Sequence, residues 1–238
     1  MNRLKQRITW CGLLLTALAV VVLAQGTWLE KADPTFARMT QQTLIIDPGH
    51  GGEDGGAVSV SESQINLAIA LELDQLMGFY GVPTVMTRST DVSIHDPEAS
   101  TLREKKVSDL HNRVALINQV ENATLISIHQ NSSPSPSHRG IQVFYGDEAL
   151  SLPLAQAIQQ TMLEVLSPEK KRAPQHIASS VYLMNHISCR AVLVECGFLS
   201  NAEEDRLLQE PAYQMKLAIT MAACYLSSGS SQEGESFV

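Results

Sequence analysis

The chain has 238 residues, 44% of them hydrophobic and 18% charged, with a formal net charge of -8. This length and apolar content suffice for one sizeable core without disulfide staples. A net negative chain lacks the positive surface that phosphate binding needs for counterion release, which argues against nucleic acid as a partner.

Arg3, Lys5 and Arg7 precede an uncharged apolar stretch from Ile8 to Ala24. Residues 1–24 therefore read as an export segment, either a signal peptide cleaved after Val22-Leu23-Ala24 or a retained N-terminal membrane anchor. Positive charge ahead of the run keeps the N-terminus inside and places the rest outside the cytoplasm, on the wall side of the membrane. A polar linker, 25–41, leads into a catalytic-size domain over 42–227, and 228–238 reads as a disordered tail. Of the cysteines, Cys11 falls in the export segment. Cys189, Cys196 and Cys224 form no CxxC pair and read as small buried hydrophobes.

From residue 42 onward, compact β-branched runs alternate with segments of helical period, the pattern of a single layered α/β domain. The strand candidates are Leu44–Asp47, Val82–Thr87, Thr124–His129, Gly140–Tyr145, Val181–Met184 and Ala191–Glu195. Most are continuous apolar runs, which suits a mostly parallel central sheet covered by helices on both faces. The clearest helix spans Glu62 to Tyr80, with Ile65, Ile69, Leu73, Leu76 and Tyr80 along one face. Ser61 with Gln64 reads as its capping box, and Gly81 before Val82-Pro83 as its stop. Further helices are expected at 107–119, at 151–166, as a short one from about Ala202, and from Pro211, a favoured first helical residue. Ser89–Lys106 and Gln130–Arg139 lack periodicity and read as loops bordering a cleft.

Three strands end on residues that carry chemistry. The first runs through Ile45-Ile46-Asp47 into a glycine-rich turn, Pro48-Gly49-His50-Gly51-Gly52, and presents His50 where open α/β sheets form their sites. The turn has neither the GxGxxG nor the GK[ST] spacing of a phosphate cradle. The second strand ends on His129. Two histidines and one carboxylate, with a fourth position open, make the usual catalytic zinc set, and the same donors suit several divalent ions. Glu62, at the rigid and positive N-terminal end of the long helix, is the preferred carboxylate, with Glu53 and Asp54 as competitors from the loop itself. The third strand ends on Glu195 before Cys196-Gly197-Phe198. A lone acid there can take a proton from water activated by a metal and return it to a leaving amine. A serine or cysteine nucleophile is disfavoured, because there is no G-x-S-x-G elbow and Cys196 has no nearby histidine in sequence.

Taken together, "IIDPGHGGEDGGA", "ESQINLAIAL", "GVPTVMTRSTD", "NRVALIN", "LISIHQNS", "RGIQVFY" and "AVLVECGFLSN" occur in an order and spacing that resembles the zinc-dependent N-acetylmuramoyl-L-alanine amidases of the type 3 family. The resemblance implies cleavage of the peptidoglycan amide between the lactyl group of N-acetylmuramic acid and L-alanine of the stem peptide. It also implies one zinc ion held by His50, Glu62 and His129, with Glu195 as the catalytic acid. The segment between His50 and Glu62 is shorter than is usual in the family, which keeps Glu53 in view. The short layout and the "KVSDLHNR" loop are most similar to the CwlD-type branch of spore formers, whose role is to prepare cortex peptidoglycan for muramic δ-lactam formation.

Other readings share these features. A vegetative cell-separation amidase or a zinc peptidase of the stem peptide would use the same ligands, and a wall-binding pseudoenzyme would keep the groove. Export also leaves room for an accessory protein that delivers or activates the enzyme. Arg88, Arg113 and Arg139 read either as contacts for substrate carboxylates or as fold-stabilising pairs. His95, His111, His138, His176 and His186 read as surface residues, and Lys170-Lys171-Arg172 as a solvated loop.

Overall fold

The computed structural model describes residues 42–56, 62–166 and 172–230. The export segment, the linker, Ser61 of the expected capping box, Lys170 and Lys171 of the expected solvated loop, and residues 231–238 lie outside them. Twelve elements follow in chain order among the described residues: β1 (Thr43–Pro48), α1 (Glu62–Phe79), β2 (Thr84–Met86), α2 (Leu102–Asn118), β3 (Ala123–Asn131), β4 (Gln142–Tyr145), α3 (Glu148–Leu166), β5 (Gln175–His176), α4 (Tyr182–Asn185), β6 (Arg190–Phe198), α5 (Ala202–Leu208) and α6 (Pro211–Ser230).

The strands form one sheet in the order β2-β1-β3-β6-β4-β5. The β2, β1, β3 and β6 strands run parallel, whereas β4 lies antiparallel to β6 and carries β5 parallel to itself. The expected mostly parallel, doubly covered sheet is therefore what the chain forms. Successive side chains of a strand point to opposite faces, and the core divides accordingly. Leu44, Ile46, Ile126, Ile128, Val192 and Val194 face α1, α3 and α6, while Ile45, Leu125, Ala191 and Leu193 face α2 and α4. The β1 run Leu44-Ile45-Ile46 is fully buried, and burying each such side chain stabilises the fold by about 1.5–3 kcal/mol.

The ends of α1 follow from its sequence. After Phe79, Gly81 adopts φ +72, its N–H donates to Gly78 O and the Val82 N–H donates to Met77 O, which is the Schellman termination that glycine favours. Met77 turns into the core, whereas Tyr80 stays 44% exposed.

Three expectations need correction. The α2 helix begins at Leu102 rather than near 107, because Thr101 and Glu104 form a complete capping box; this removes part of the expected 89–106 loop. Val181–Met184 is not a strand: Val181 is the N-cap of α4, which buries Leu183 and Met184. The α6 helix continues to Ser230, past the point at which a tail was expected, with the Ser228 hydroxyl donating to Tyr225 O. Among the described residues no helix is long and apolar enough to cross a membrane.

Candidate metal centre and active site

Parallel strands β1 and β3 are in register, with Pro48 beside Ile128, so their C-terminal ends deliver His50 and His129 to the same edge. His50 adopts a left-handed backbone, φ +61, an uncommon conformation for a residue with a side chain. It is held by a tight bridge in which Gly51 N–H donates to Asp54 O and Asp54 N–H donates to Gly51 O. Gly49 permits the convergence, since a Cβ there would lie 2.2 Å from the His129 ring.

The first residue of α1 completes the group. The ligand atoms of His50, Glu62 and His129 lie within 4.8 Å of one another. Glu62 Oε1 is 3.2 Å from His50 Nε2 and 3.2 Å from His129 Nδ1. It also accepts from Gln130 N–H at 3.1 Å and from the Asn66 amide at 3.4 Å. Asn66 in turn donates to Gly49 O and accepts from the Gln130 side chain. Sequence reading missed both orienting residues, although Asn66 lies one helical turn beyond Glu62 and Gln130 directly follows His129. The competing carboxylates are engaged elsewhere. Glu53 pairs with Lys105 at 2.7 Å, and Asp54 sits 3.0 Å from His50 Nδ1, on the far side of the ring from Glu62.

Charge follows this geometry. Burial opposes a charged His50, but hydrogen bonds to Asp54 and Glu62 outweigh it and raise its pKa from 6.5 to about 9. Burial likewise opposes the Glu62 carboxylate, and the two histidines overcome it, holding the acid ionised well below the usual range. Asp54 is held at about 2, chiefly by His50.

On the other side of β3, Glu195 is the register partner of His129. Its Oε2 is buried with no hydrogen-bond partner among the described residues, and burial pushes its pKa up, with Glu62 adding to the rise and His129 opposing it. The adjacent Cys196 is fully buried, with its thiol pushed strongly up by burial, so it offers no thiolate nucleophile. Just beyond, Glu204 on α5 accepts from the N–H groups of Phe198 and Gly140, both at 2.8 Å, and ties the end of β6 to the approach to β4. A cavity of about 300 Å³ opens beside His50, lined in part by Asp54, Ser93, His95, Leu102 and Lys105.

The arginines sort differently from a substrate-binding role. Arg88 and Arg113 are buried and turned inward. Arg113 pairs with Asp47 at 2.6 Å and Asp109 at 2.7 Å, and Arg139 pairs with Glu203 at 3.3 Å on the surface. Of the set-aside histidines, His138 bonds Ser133 and His186 stacks on Tyr182. His95 is the one that borders the cavity next to His50.

A profile of the family described as N-acetylmuramoyl-L-alanine amidase matches residues 44–224. The chain belongs to the type 3 N-acetylmuramoyl-L-alanine amidase family. Among its relatives, the germination-specific N-acetylmuramoyl-L-alanine amidase of Bacillus subtilis (strain 168) is 31% identical over 220 residues, covering 90% of this chain and 92% of that one. The CwlD amidase from Clostridioides difficile, solved in complex with the GerS lipoprotein, superimposes with a TM-score of 0.75 at 35% identity, covering 79% of this amidase and 98% of that chain. The amidase AmiC2 of Nostoc punctiforme gives a TM-score of 0.65 at 27% identity over 79% of this chain and 96% of its own. This amidase is thus an enzyme that hydrolyses the bond between N-acetylmuramic acid and L-alanine in peptidoglycan, and it is CwlD-like.

Proposed function

We propose that His50, Glu62 and His129 hold one zinc ion and that Glu195 moves the proton during amide hydrolysis. The observation that carries this reading is a buried carboxyl oxygen of Glu195 with no partner, on the strand beside a two-histidine, one-carboxylate cluster. The donors fit zinc: two imidazoles and an ionised carboxylate with their ligand atoms already gathered, and a carboxylate behind His50 to orient its ring. Zinc supplies Lewis acidity, which makes water a nucleophile near neutral pH and polarises an amide carbonyl.

The remaining work falls to the chain's own groups. Gln130 N–H and Asn66 hold the Glu62 carboxylate in one orientation, and Asp54 does the same for His50. Burial of Glu195 raises its proton affinity toward the working range of a general base and acid. Glu195 accepts a proton as the water oxygen bonds to the lactyl carbonyl carbon. It returns that proton to the L-alanine nitrogen as the C–N bond breaks, so the stem peptide leaves as a free amine.

The same reading assigns the amidase to spore-cortex maturation, ahead of muramic δ-lactam formation. Its support is the near full-length likeness to a germination-specific relative. Export through residues 1–24 is supported by the basic start and the apolar run that follows, and by a substrate that lies outside the cytoplasmic membrane. An accessory protein belongs to the reading as well, supported by the relative solved with a lipoprotein.

Mass spectrometry of peptidoglycan digested by the zinc-loaded chain tests this, beside the Glu195→Gln protein. The wild type is expected to release stem peptides with a free L-alanine amine. Glu195→Gln should lose about 10²–10⁴-fold in turnover while keeping its zinc. Undiminished turnover would remove Glu195 from the proton role, and new ends elsewhere in the stem would make the protein a peptidase.

A further inference from the structure

The segment after β2, Thr87 to Asp91, is wedged between the two parts of the chain that carry His50 and Glu62. Arg88 is 3% exposed. Its Nε donates to Pro48 O at 2.9 Å, and its Nη2 donates to Gly49 O at 2.9 Å and Ser63 O at 2.8 Å. Its Nη1 donates to Thr90 O at 3.0 Å, closing the segment on itself. Two of these carbonyls belong to the turn immediately before His50, and the Ser63 carbonyl belongs to the residue immediately after Glu62.

Asp91 repeats the bridge at the surface. Its Oδ1 accepts from Gly52 N–H at 3.2 Å and from the Ser63 hydroxyl at 2.9 Å. Both residues thus span the same gap, from the His50 turn to the first turn of α1. Arg113 differs: it is neutralised by Asp47 and Asp109 and reaches Pro48 O and His50 O, all within or against β1 and its turn. Among the described residues, Arg88 has one carboxylate at ion-pair distance, Asp91 at 3.9 Å. A buried cation whose donors go to main-chain carbonyls is held by geometry more than by charge pairing, and the planar fork of arginine serves four carbonyls here, one more than the three N–H groups of a lysine ammonium can satisfy.

We propose that Arg88, assisted by Asp91, is a positioning residue that sets the separation of His50 and Glu62 and thereby the metal affinity of the site. The inference rests on the metal-site reading above. A ligand cage binds well only when its donors are held within tenths of an ångström, and these two ligands sit on different elements that the Thr87–Asp91 segment ties together. Lysine at position 88 keeps the positive charge but loses the fork.

The test measures zinc affinity by chelator competition on the purified full chain, its Arg88→Lys variant and its Asp91→Ala variant. Cobalt(II) absorption serves as a readout of ligand geometry, and circular dichroism of the metal-free proteins as a check on folding. The expected result is folded variants whose zinc affinity is lower by about 10- to 100-fold and whose cobalt spectra are shifted, with the larger change in Arg88→Lys. Folded variants with wild-type affinity and spectrum would overturn the proposal and leave Arg88 a purely structural residue. If Arg88→Lys does not fold, Asp91→Ala decides by the same two outcomes, since its side chain is 30% exposed and its loss leaves the core intact. A wild-type chain that binds no zinc would overturn the metal reading itself, and this proposal with it.

Discussion

At the start of α1, Glu62 Oε1 has four nitrogen atoms within 3.4 Å, from His50, His129, Gln130 and Asn66. At the end of β6, Glu195 Oε2 has none. Both acids are largely shielded from water, yet the fold lowers the proton affinity of the first and raises that of the second. The difference fits the roles proposed for them, a metal ligand and a proton carrier. A ligand is useful when fixed and always ionised, whereas a proton carrier is useful when one oxygen is unengaged and the charge is only weakly stabilised.

His129→Ala breaks this comparison most severely. It removes a member of the fixed side, so zinc content, measured by atomic emission, and turnover are expected to vanish together. Retained zinc with lost turnover would take His129 out of the ligand set. Such an outcome would match the one expected of the Glu195 substitution, where turnover is lost and metal stays.

Next in size is the support beneath the fixed side. Burial would raise the Asp47 carboxyl, but the Arg113 guanidinium, aided by hydroxyl bonds from Thr87 and Ser127, holds it at about 2 against an ordinary 3.8. Asp47→Asn leaves Arg113 partly unpaired in the interior. The expected cost is about 3–5 kcal/mol, a fall in Tm of about 6–20 °C for a domain of this size. The folded pKa is depressed, so the carboxylate's contribution is complete above the unfolded value and fades as pH falls from near 4 through about 2. Thermal melts of the wild type should therefore fall more steeply across that window than those of Asp47→Asn, which keeps only the contributions of other depressed carboxylates such as Asp54 and Glu62. A parallel loss in both proteins would show that other carboxylates govern acid unfolding.

The smallest effect is expected at Cys196, beside the poised acid but buried with its thiol protonated. Cys196→Ala should leave turnover per folded molecule unchanged in the peptidoglycan assay. A collapse of activity in a folded protein would reopen the cysteine mechanism.

Much of this was legible in the sequence because strand ends and helix starts carry their own signals. His50, His129 and Glu195 each close an apolar run, and Glu62 opens the strongest periodic segment. What escaped reading was decided by partners. The β5 strand is two exposed residues, Gln175 and His176, which count as a strand only because β4 lies beside them. Val181–Met184 is a short apolar run of the kind that fits strand or helix equally, and packing against α2 selected the helix. The start of α2 was present as Thr101 and Glu104 but was hidden by the polar character of its first turn. Arg88 and Arg113 read equally as substrate contacts or as fold-stabilising residues, because sequence gives their charge and not their direction. The structure decides for the second: Arg88 turns inward onto carbonyls of the His50 turn and of α1, and Arg113 onto the carboxylates of Asp47 and Asp109.

The bare α-carbon of Gly49 has a use outside this molecule. Because the His129 ring occupies the space where a Cβ would go, the identity of residue 49 reports on a residue eighty positions away. A relative carrying any other amino acid there has given up either the imidazole or the alignment of β1 with β3. That one column of a family comparison separates chains that keep this cage from chains that keep only its outline, before any ligand is inspected.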